Sequence, residues 1–159
     1  MAKEFEMKDV GEMSYFLGVD VKQIDEGIFM SRKKYAKEIL SKFRMKDCKS
    51  VSTPIEAGMK LKADLDKEPI NPKLFKSLVG SLRYLTFTRP DIIFAVGLVS
   101  RYMEQPRQDH LSEANKILRC IKGTVYYGLL FTHSKDSKLV GYSYSDYGGG
   151  TNDRKSTLG

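Results

Sequence analysis

The sequence is poor in the residues that build metal, cofactor and disulfide sites. It has no tryptophan, two histidines and two cysteines among 159 residues. Cys48 and Cys120 stand far apart and lack the spacing of a zinc site, so we expect neither a disulfide framework nor a metal site. His110 and His133 have no carboxylate or cysteine at ligand spacing, which argues against a metal ligand or a catalytic base. We therefore expect no cofactor and a reduced, intracellular protein.

Long apolar runs and targeting segments are also missing. The apolar stretch near residues 92–99 is much shorter than the ~18 residues that a membrane helix needs. The first residues, MAKEFEMKD, contain no apolar leader and no arginine-rich amphipathic pattern. These absences predict a protein of the cytoplasm or nucleus, with no signal or transit peptide and no membrane partner.

Positive charge is concentrated in one segment. Between Ser31 and Lys62, ten basic residues stand against three acidic ones, whereas the rest of the chain has seventeen of each sign. A basic segment is typical of a nucleic-acid contact, and a solvated lysine-rich helix face is the other interpretation. The candidate nucleic-acid-binding residues of this segment are Lys33, Lys34, Lys37, Lys42, Arg44, Lys46 and Lys49.

The hydrophobic patterns predict an α+β fold. Alternation over 14–23, a turn at 25–27 and a short strand at 28–31 predict a β-hairpin. Apolar stripes then predict three to four helices, including 31–44, a run ending near residue 85, 92–103 and 108–122, with a long connection over 44–72. In the run ending near residue 85, Ser77, Ser81 and Arg83 are turned away from a stripe made of Leu74, Leu78, Leu82 and Leu85. The last helix should be capped by Gly123, and its stripe is Leu111, Ala114, Ile117, Leu118 and Ile121. Because residues 92–103 are apolar nearly all round, we expect that helix to be buried. Strands at 127–132 and 138–143 predict a C-terminal β-hairpin.

Several motifs resemble, in the same order, the reverse transcriptases of copia-type LTR retrotransposons. The main ones are LVGSLRYLT at 78–86 and TRPDI at 88–92, and they are flanked by MKDVGEM, YFLG, ILR, KGT and DRKST. The resemblance covers about residues 5 to 159. It implies three parts: residues 1–32 as the end of the palm with a primer-grip-like hairpin, 33–125 as a helical thumb and connection, and 126–159 as a truncated RNase H-like start with a flexible tail.

The resemblance also implies roles for two short segments. Phe16, Leu17 and Gly18 match the primer grip, a hairpin that holds the primer 3′ end, where a glycine lets the backbone approach a sugar-phosphate closely. Without the resemblance, the same residues would be interpreted as a plain core hairpin. Tyr144 stands where the family has the first metal-binding Asp of RNase H, and Asp146 is offset from that position by ~6–7 Å along a strand.

The sequence lacks the acidic residues that either active site of the family would need. It contains no Asp-Asp pair, and two-metal chemistry requires carboxylates that hold ions ~3.5–4 Å apart. We therefore predict a fragment that is not an enzyme and that binds RNA–DNA hybrids or duplexes without sequence preference. The alternative is a domesticated protein-interaction module, such as a regulator, inhibitor or toxin. It would bind a host protein or a second copy through unpaired terminal strands such as Leu139 to Ser143.

Overall fold

A computed structural model describes residues 11–56, 58–59, 61 and 67–133. These residues form four strands and four helices, which confirms the predicted α+β class. In chain order they are β1 Tyr15–Phe16, β2 Val19–Ile24, β3 Gly27–Ser31, α1 Lys33–Lys42, α2 Pro72–Leu85, α3 Ile93–Ser100, α4 Gln108–Gly123 and β4 Gly128–Thr132. Two 3₁₀ turns, Thr86–Thr88 and Pro90–Ile92, connect α2 to α3. None of the described helices is both long and apolar enough to cross a bilayer.

The strands form one antiparallel sheet in the order β1-β2-β3-β4. The predicted β2–β3 hairpin is confirmed, and its turn is Asp25–Glu26. The single strand predicted over 14–23 is wrong, because the chain reverses at Leu17 and Gly18, where φ is 46° and 79°. Two consecutive positive φ values are typical of the type I′ turn, which joins strands with a two-residue loop.

Strand β4 completes the sheet by pairing with β3. Gly128 lies opposite Ser31 and Thr132 lies opposite Gly27. The sequence placed β4 in a separate C-terminal hairpin, and its pairing with an N-terminal strand was not predicted. The expected second strand of that hairpin, 138–143, lies outside the described residues, as do Tyr144 and Asp146.

The hydrophobic core is helical. The buried cluster takes its residues from α1, α2, α3 and α4, with Ile92 and Val125 beside them. The stripe of α4 is confirmed, and so are Leu78, Leu82 and Leu85 of α2. Two details of α2 were wrong: Leu74 is half exposed, and Ser81 is buried. The Ser81 hydroxyl is satisfied in the core because it donates to the Ser77 carbonyl of the preceding turn at 2.9 Å. Helix α4 also includes Gly123 and is capped by Thr124 rather than by the glycine.

Helix α3 differs most from its prediction. Only one of its faces is buried, through Ala95, Val96 and Val99. On the opposite face Ile93 is 53% exposed and Phe94 is 69% exposed. Although α3 is apolar on nearly every face, this small core therefore buries only one of its faces.

A buried arginine joins two of the motifs that carried the resemblance. Arg89, from TRPDI, is 2% exposed and forms a bidentate ion pair with Asp91 at 2.7 and 2.8 Å. Its guanidinium also donates to the backbone and side-chain oxygens of Thr124, from KGT, at 2.9 and 2.6 Å. These bonds fix the turn before α3 against the end of α4, so both motifs have a structural role here.

The connection between α1 and α2 runs along α4. The Arg119 Nε donates to the Lys49 carbonyl at 2.8 Å, and the Lys116 Nζ pairs with Glu56 at 2.7 Å. The hydrogen bond and the charge of Lys116 hold the pKa of the Glu56 carboxyl below its usual range. The connection is therefore tied to the helical core at several described positions.

Candidate nucleic-acid interface

Helix α1 carries the centre of the basic segment on its outer face. Its inner face is apolar, with Ala36, Ile39 and Leu40 buried in the core. Lys34 and Lys37 are exposed on the outer face. This arrangement follows directly from the amphipathic pattern of the sequence, because the core takes one stripe and leaves the lysines to solvent.

The end of α1 is a reversal that places a positive-φ residue just beyond the helix. Arg44 has a φ of 57°. Its N–H donates to the Ser41 carbonyl at 3.1 Å, and the Met45 N–H donates to the Leu40 carbonyl at 2.7 Å. These two bonds form a Schellman motif, in which glycine usually occupies the left-handed position. After this reversal, the exposed Lys46 lines a groove together with residues of α1.

Three grooves lie beside α1, and Lys34 lines all of them. The tip groove, of about 420 Å³, is lined by Tyr15, Gly18, Lys34, Tyr35, Glu38 and Tyr84. The sheet groove, of about 610 Å³, is lined by Ser14, Asp20, Val21, Lys22, Phe29, Ser31, Lys33, Lys34, Lys37 and Tyr126. The helix groove, of about 600 Å³, is lined by Lys34, Lys37, Glu38, Leu40, Ser41, Lys46, Asp47, Lys122, Val125 and Tyr126.

Four of the seven candidate basic residues are thus brought together around these grooves, namely Lys33, Lys34, Lys37 and Lys46. Within the described ranges, no carboxylate lies within 4.0 Å of their side-chain nitrogens, since the ion pairs formed there involve other residues. Ammonium groups without a carboxylate partner give a groove a positive potential that attracts anionic ligands.

The other three candidates lie outside the grooves. The Lys42 Nζ donates to the Ser77 hydroxyl of α2 at 3.0 Å and lies 5.2 Å from the Phe43 ring. Arg44 and Lys49 are exposed but line none of the three grooves. The seven residues therefore divide into a groove set and a peripheral set.

Sequence reasoning missed three groove residues, Lys22, Lys122 and Tyr126. Lys22 comes from β2, whereas Lys122 and Tyr126 stand at the end of α4 and just after it. No local pattern links Lys122 and Tyr126 to α1, because about eighty residues separate them from α1 in the sequence. Lys22 is closer in sequence, but it lies on β2, before the basic segment that begins at Ser31. A signal existed only in the resemblance, whose KGT motif contains Lys122.

The hairpin tip, residues 15–18, projects apolar side chains into solvent. Leu17 is 74% exposed, and Tyr15 and Phe16 are also more than half exposed. The alternative interpretation of this segment as a plain core hairpin is therefore wrong. An exposed leucine with a positive φ is a strained arrangement, and such strain concentrates at functional positions.

The hairpin tip is held against α2 by Tyr84. The Tyr84 hydroxyl donates to the Leu17 carbonyl at 3.1 Å. A side chain at Gly18 would bring its Cβ within 2.8 Å of that hydroxyl oxygen. The Arg32 guanidinium packs 3.8 Å from the centre of the Tyr84 ring and donates to the Tyr84 carbonyl. Arg32 is buried, so it supports the tip and is not available to a phosphate.

His110 and Cys120 lie in the helical core, and their surroundings indicate structural roles. His110 is buried, its Nδ1 accepts the Arg107 N–H at 3.0 Å, and its ring stacks on Tyr102 with centroids 4.0 Å apart. Burial raises the pKa of the Cys120 thiol, so the thiol stays protonated at neutral pH. Within the described residues, no group of three or more His, Cys, Asp or Glu side chains is placed to hold a metal ion.

Comparisons with known proteins identify the family. A sequence profile for reverse transcriptase (RNA-dependent DNA polymerase) matches residues 1–57. The whole chain is 35% identical, over 159 residues, to the retrovirus-related Pol polyprotein from transposon RE1 of Arabidopsis thaliana. It is 36% identical, over 168 aligned positions, to that from transposon TNT 1-94 of Nicotiana tabacum. The chain belongs to the copia-type reverse transcriptase family. The predicted resemblance is confirmed, and these alignments extend it over the complete sequence.

The relatives differ greatly in length. This copia-type chain spans only 11% of the RE1 polyprotein and 13% of the TNT 1-94 polyprotein. It spans 66% of an uncharacterized mitochondrial protein of Arabidopsis thaliana, with 38% identity over 159 residues. No solved structure matches the chain.

Proposed function

We propose that this copia-type segment binds nucleic acid through the phosphate backbone, without sequence preference. Its ligands are RNA–DNA hybrids or other duplexes. The observation that carries the proposal is the set of lysines around Lys34, which form no ion pair with any carboxylate of the described residues. Lys34 itself also lines the groove at the exposed hairpin tip.

The chemistry of lysine suits it to bind the phosphate backbone of a nucleic acid. An ammonium on a flexible stem contacts phosphates as a point charge and does not read base edges. Lys22 and Lys122 extend the groove set beyond α1, so six lysines surround the grooves. Such a set neutralises several phosphates at once and releases their counterions, which makes binding strongly dependent on salt.

The hairpin tip supplies a second type of contact. Leu17 and Phe16 present apolar surface close to the tip groove that Lys34 lines. Contact of this surface with the sugars at a strand end, together with phosphate contacts to Lys34, agrees with the primer-grip role implied by the resemblance.

We further propose that the segment binds without catalysis. The sequence has no Asp-Asp pair, and Tyr144 stands at the expected position of the first RNase H aspartate. Incubation with a labelled RNA–DNA hybrid, nucleotides and Mg²⁺ or Mn²⁺ should give neither cleavage nor primer extension. A product that grows with protein concentration in a highly purified sample would contradict this proposal.

The binding proposal is tested by fluorescence anisotropy with a labelled blunt RNA–DNA hybrid at low salt. The variant Lys34→Glu/Lys37→Glu reverses two groove charges and should weaken binding by about tenfold or more. The matched control is Lys73→Glu/Arg83→Glu, which makes the same change of net charge on the exposed surface of α2. Equal losses in the two variants would mean that net charge alone governs binding, and unchanged affinity in the first variant would refute the proposal.

A protein-interaction function is the second candidate, and the exposed face of α3 favours it. Phe87, Ile93 and Phe94 are each more than half exposed in one short stretch. Contiguous exposed apolar surface often marks a protein interface. Sedimentation velocity tests self-association through this face: Ile93→Ser/Phe94→Ser should convert any dimer into monomer. A wild-type protein that stays monomeric at high concentration would contradict the self-association form of this candidate.

A further inference from the structure

We infer that Tyr126 is a stacking platform for an unpaired nucleobase at the helix groove. The inference rests on the proposed function, because it takes the groove lysines as phosphate contacts. It adds a substrate preference: the protein should favour a duplex with a single-stranded overhang over a blunt duplex.

The first observation is the position of Tyr126. Its side chain is 68% exposed and lines both the sheet groove and the helix groove. The Lys33 Nζ lies 4.5 Å from the centre of the ring. Lys33 lines the sheet groove but not the helix groove, so Tyr126 borders one groove in which Lys33 does not compete for contact with the ring.

The second observation is the chemistry of the helix groove. Four lysines line it, namely Lys34, Lys37, Lys46 and Lys122, and they outnumber its two carboxylates, Glu38 and Asp47. Leu40 and Val125, both largely buried, form apolar parts of its wall. An aromatic ring with apolar side chains beside it accepts a flat apolar group, whereas the lysines accept an anion. A nucleotide unit combines these two properties. The volume of about 600 Å³ lies in the range that small ligands occupy.

The third step concerns which bases can reach the ring. Both faces of a base inside a duplex are covered by its neighbours, so such a base cannot stack on a tyrosine without leaving the helix. A base in a single-stranded overhang has an open face, and aromatic side chains bind such bases with little sequence preference. The lysines of α1 would then hold the adjoining duplex, while Tyr126 takes the first unpaired bases.

The test uses anisotropy with three labelled RNA–DNA ligands: a blunt hybrid, the same hybrid with a short DNA overhang, and the overhang made abasic. The wild-type protein should bind the overhang about 5- to 150-fold more tightly than the blunt hybrid, which corresponds to stacking of one base. The abasic overhang should lose that gain. Tyr126→Ala should bind all three ligands alike, and Tyr126→Phe should retain the preference.

The controls separate this inference from the proposed function. Phe94→Ala removes another exposed aromatic that lines none of the grooves, and it should leave the preference unchanged. Equal wild-type affinity for blunt and overhang ligands, or a preference that survives in Tyr126→Ala, would overturn the stacking role while leaving lysine-dependent binding intact. Absence of binding to every ligand at low salt would overturn both. Circular dichroism and thermal unfolding verify that each variant is folded.

Discussion

At the scale of single residues, Leu17 of the hairpin tip combines a strained backbone conformation with an exposed side chain. Leu17 adopts a positive φ that costs a non-glycine residue roughly 1–2 kcal/mol, yet its side chain gains little burial because it is mostly exposed. The Tyr84 hydroxyl holds the Leu17 carbonyl in place. The strain is therefore maintained by a specific contact, which is consistent with a side chain placed for a ligand.

The variant Leu17→Asn should separate stability from binding. Asparagine suits the first central position of a type I′ turn, so the free energy of unfolding should rise by about 0.5–1 kcal/mol. Affinity for an RNA–DNA hybrid should fall because the apolar contact is lost. Urea unfolding and anisotropy measure the two effects. The control Phe16→Asn makes a similar exchange where φ is not positive and should not stabilise the protein. A loss of stability in Leu17→Asn would contradict the strain assigned to Leu17.

Arg89 provides a second residue-scale prediction, because its charge is buried and its partner is only partly so. Asp91→Ala should lower the free energy of unfolding by about 2–3 kcal/mol, since it leaves a desolvated guanidinium without its carboxylate. Glu104→Ala is the matched control: it breaks the exposed ion pair with Lys76 and should cost less than about 1 kcal/mol. Similar values for the two variants, measured by chemical denaturation, would show that the Arg89 ion pair is not a special anchor.

At the scale of secondary-structure elements, the end of α1 combines a local structural demand with a candidate binding residue. Arg44 occupies the left-handed position of the Schellman motif, and its side chain is exposed. The charge at this position thus carries a conformational cost that a glycine would avoid.

Arg44→Gly should raise the thermal unfolding midpoint, with a gain of about 0.5–1 kcal/mol in the free energy of unfolding. Because Arg44 lines none of the three grooves, its loss should weaken hybrid binding much less than Lys34→Glu/Lys37→Glu does. Lys46→Gly serves as the control, since Lys46 does not have a positive φ, and should be neutral or destabilising. A lower midpoint for Arg44→Gly, measured by calorimetry, would contradict the strained turn.

The elements that the sequence predicted well are those whose signal is local. The stripes of α1 and α4 repeat with the helical period, and the β2–β3 turn has typical turn residues, so each could be recognised without its neighbours. Helix α3 could not be predicted fully, because a uniformly apolar segment carries no periodic signal to identify its exposed face. The tight turn at Leu17 and Gly18 was missed because leucine is unfavourable at a positive φ.

At the scale of the whole molecule, sequence patterns did not predict the contacts between elements that are far apart in the chain. Strand β4 pairs with β3 across about a hundred residues of sequence, and no pattern within either strand specifies that partner. The candidate interface has the same character. Its centre on α1 was predicted from charge, whereas Lys22, Lys122 and Tyr126 join it only because the sheet and the end of α4 are packed beside α1.

The salt dependence of binding is the measurement that we would make first. If five or six groove lysines contact phosphates, a plot of log affinity against log salt concentration for the RNA–DNA hybrid should have a slope of about −4.5 to −5.5. For Lys34→Glu/Lys37→Glu, the slope should be shallower by about 2, because two phosphate contacts are lost. A wild-type slope near zero, or an unchanged slope in the variant, would mean that the lysines around Lys34 do not form a nucleic-acid interface.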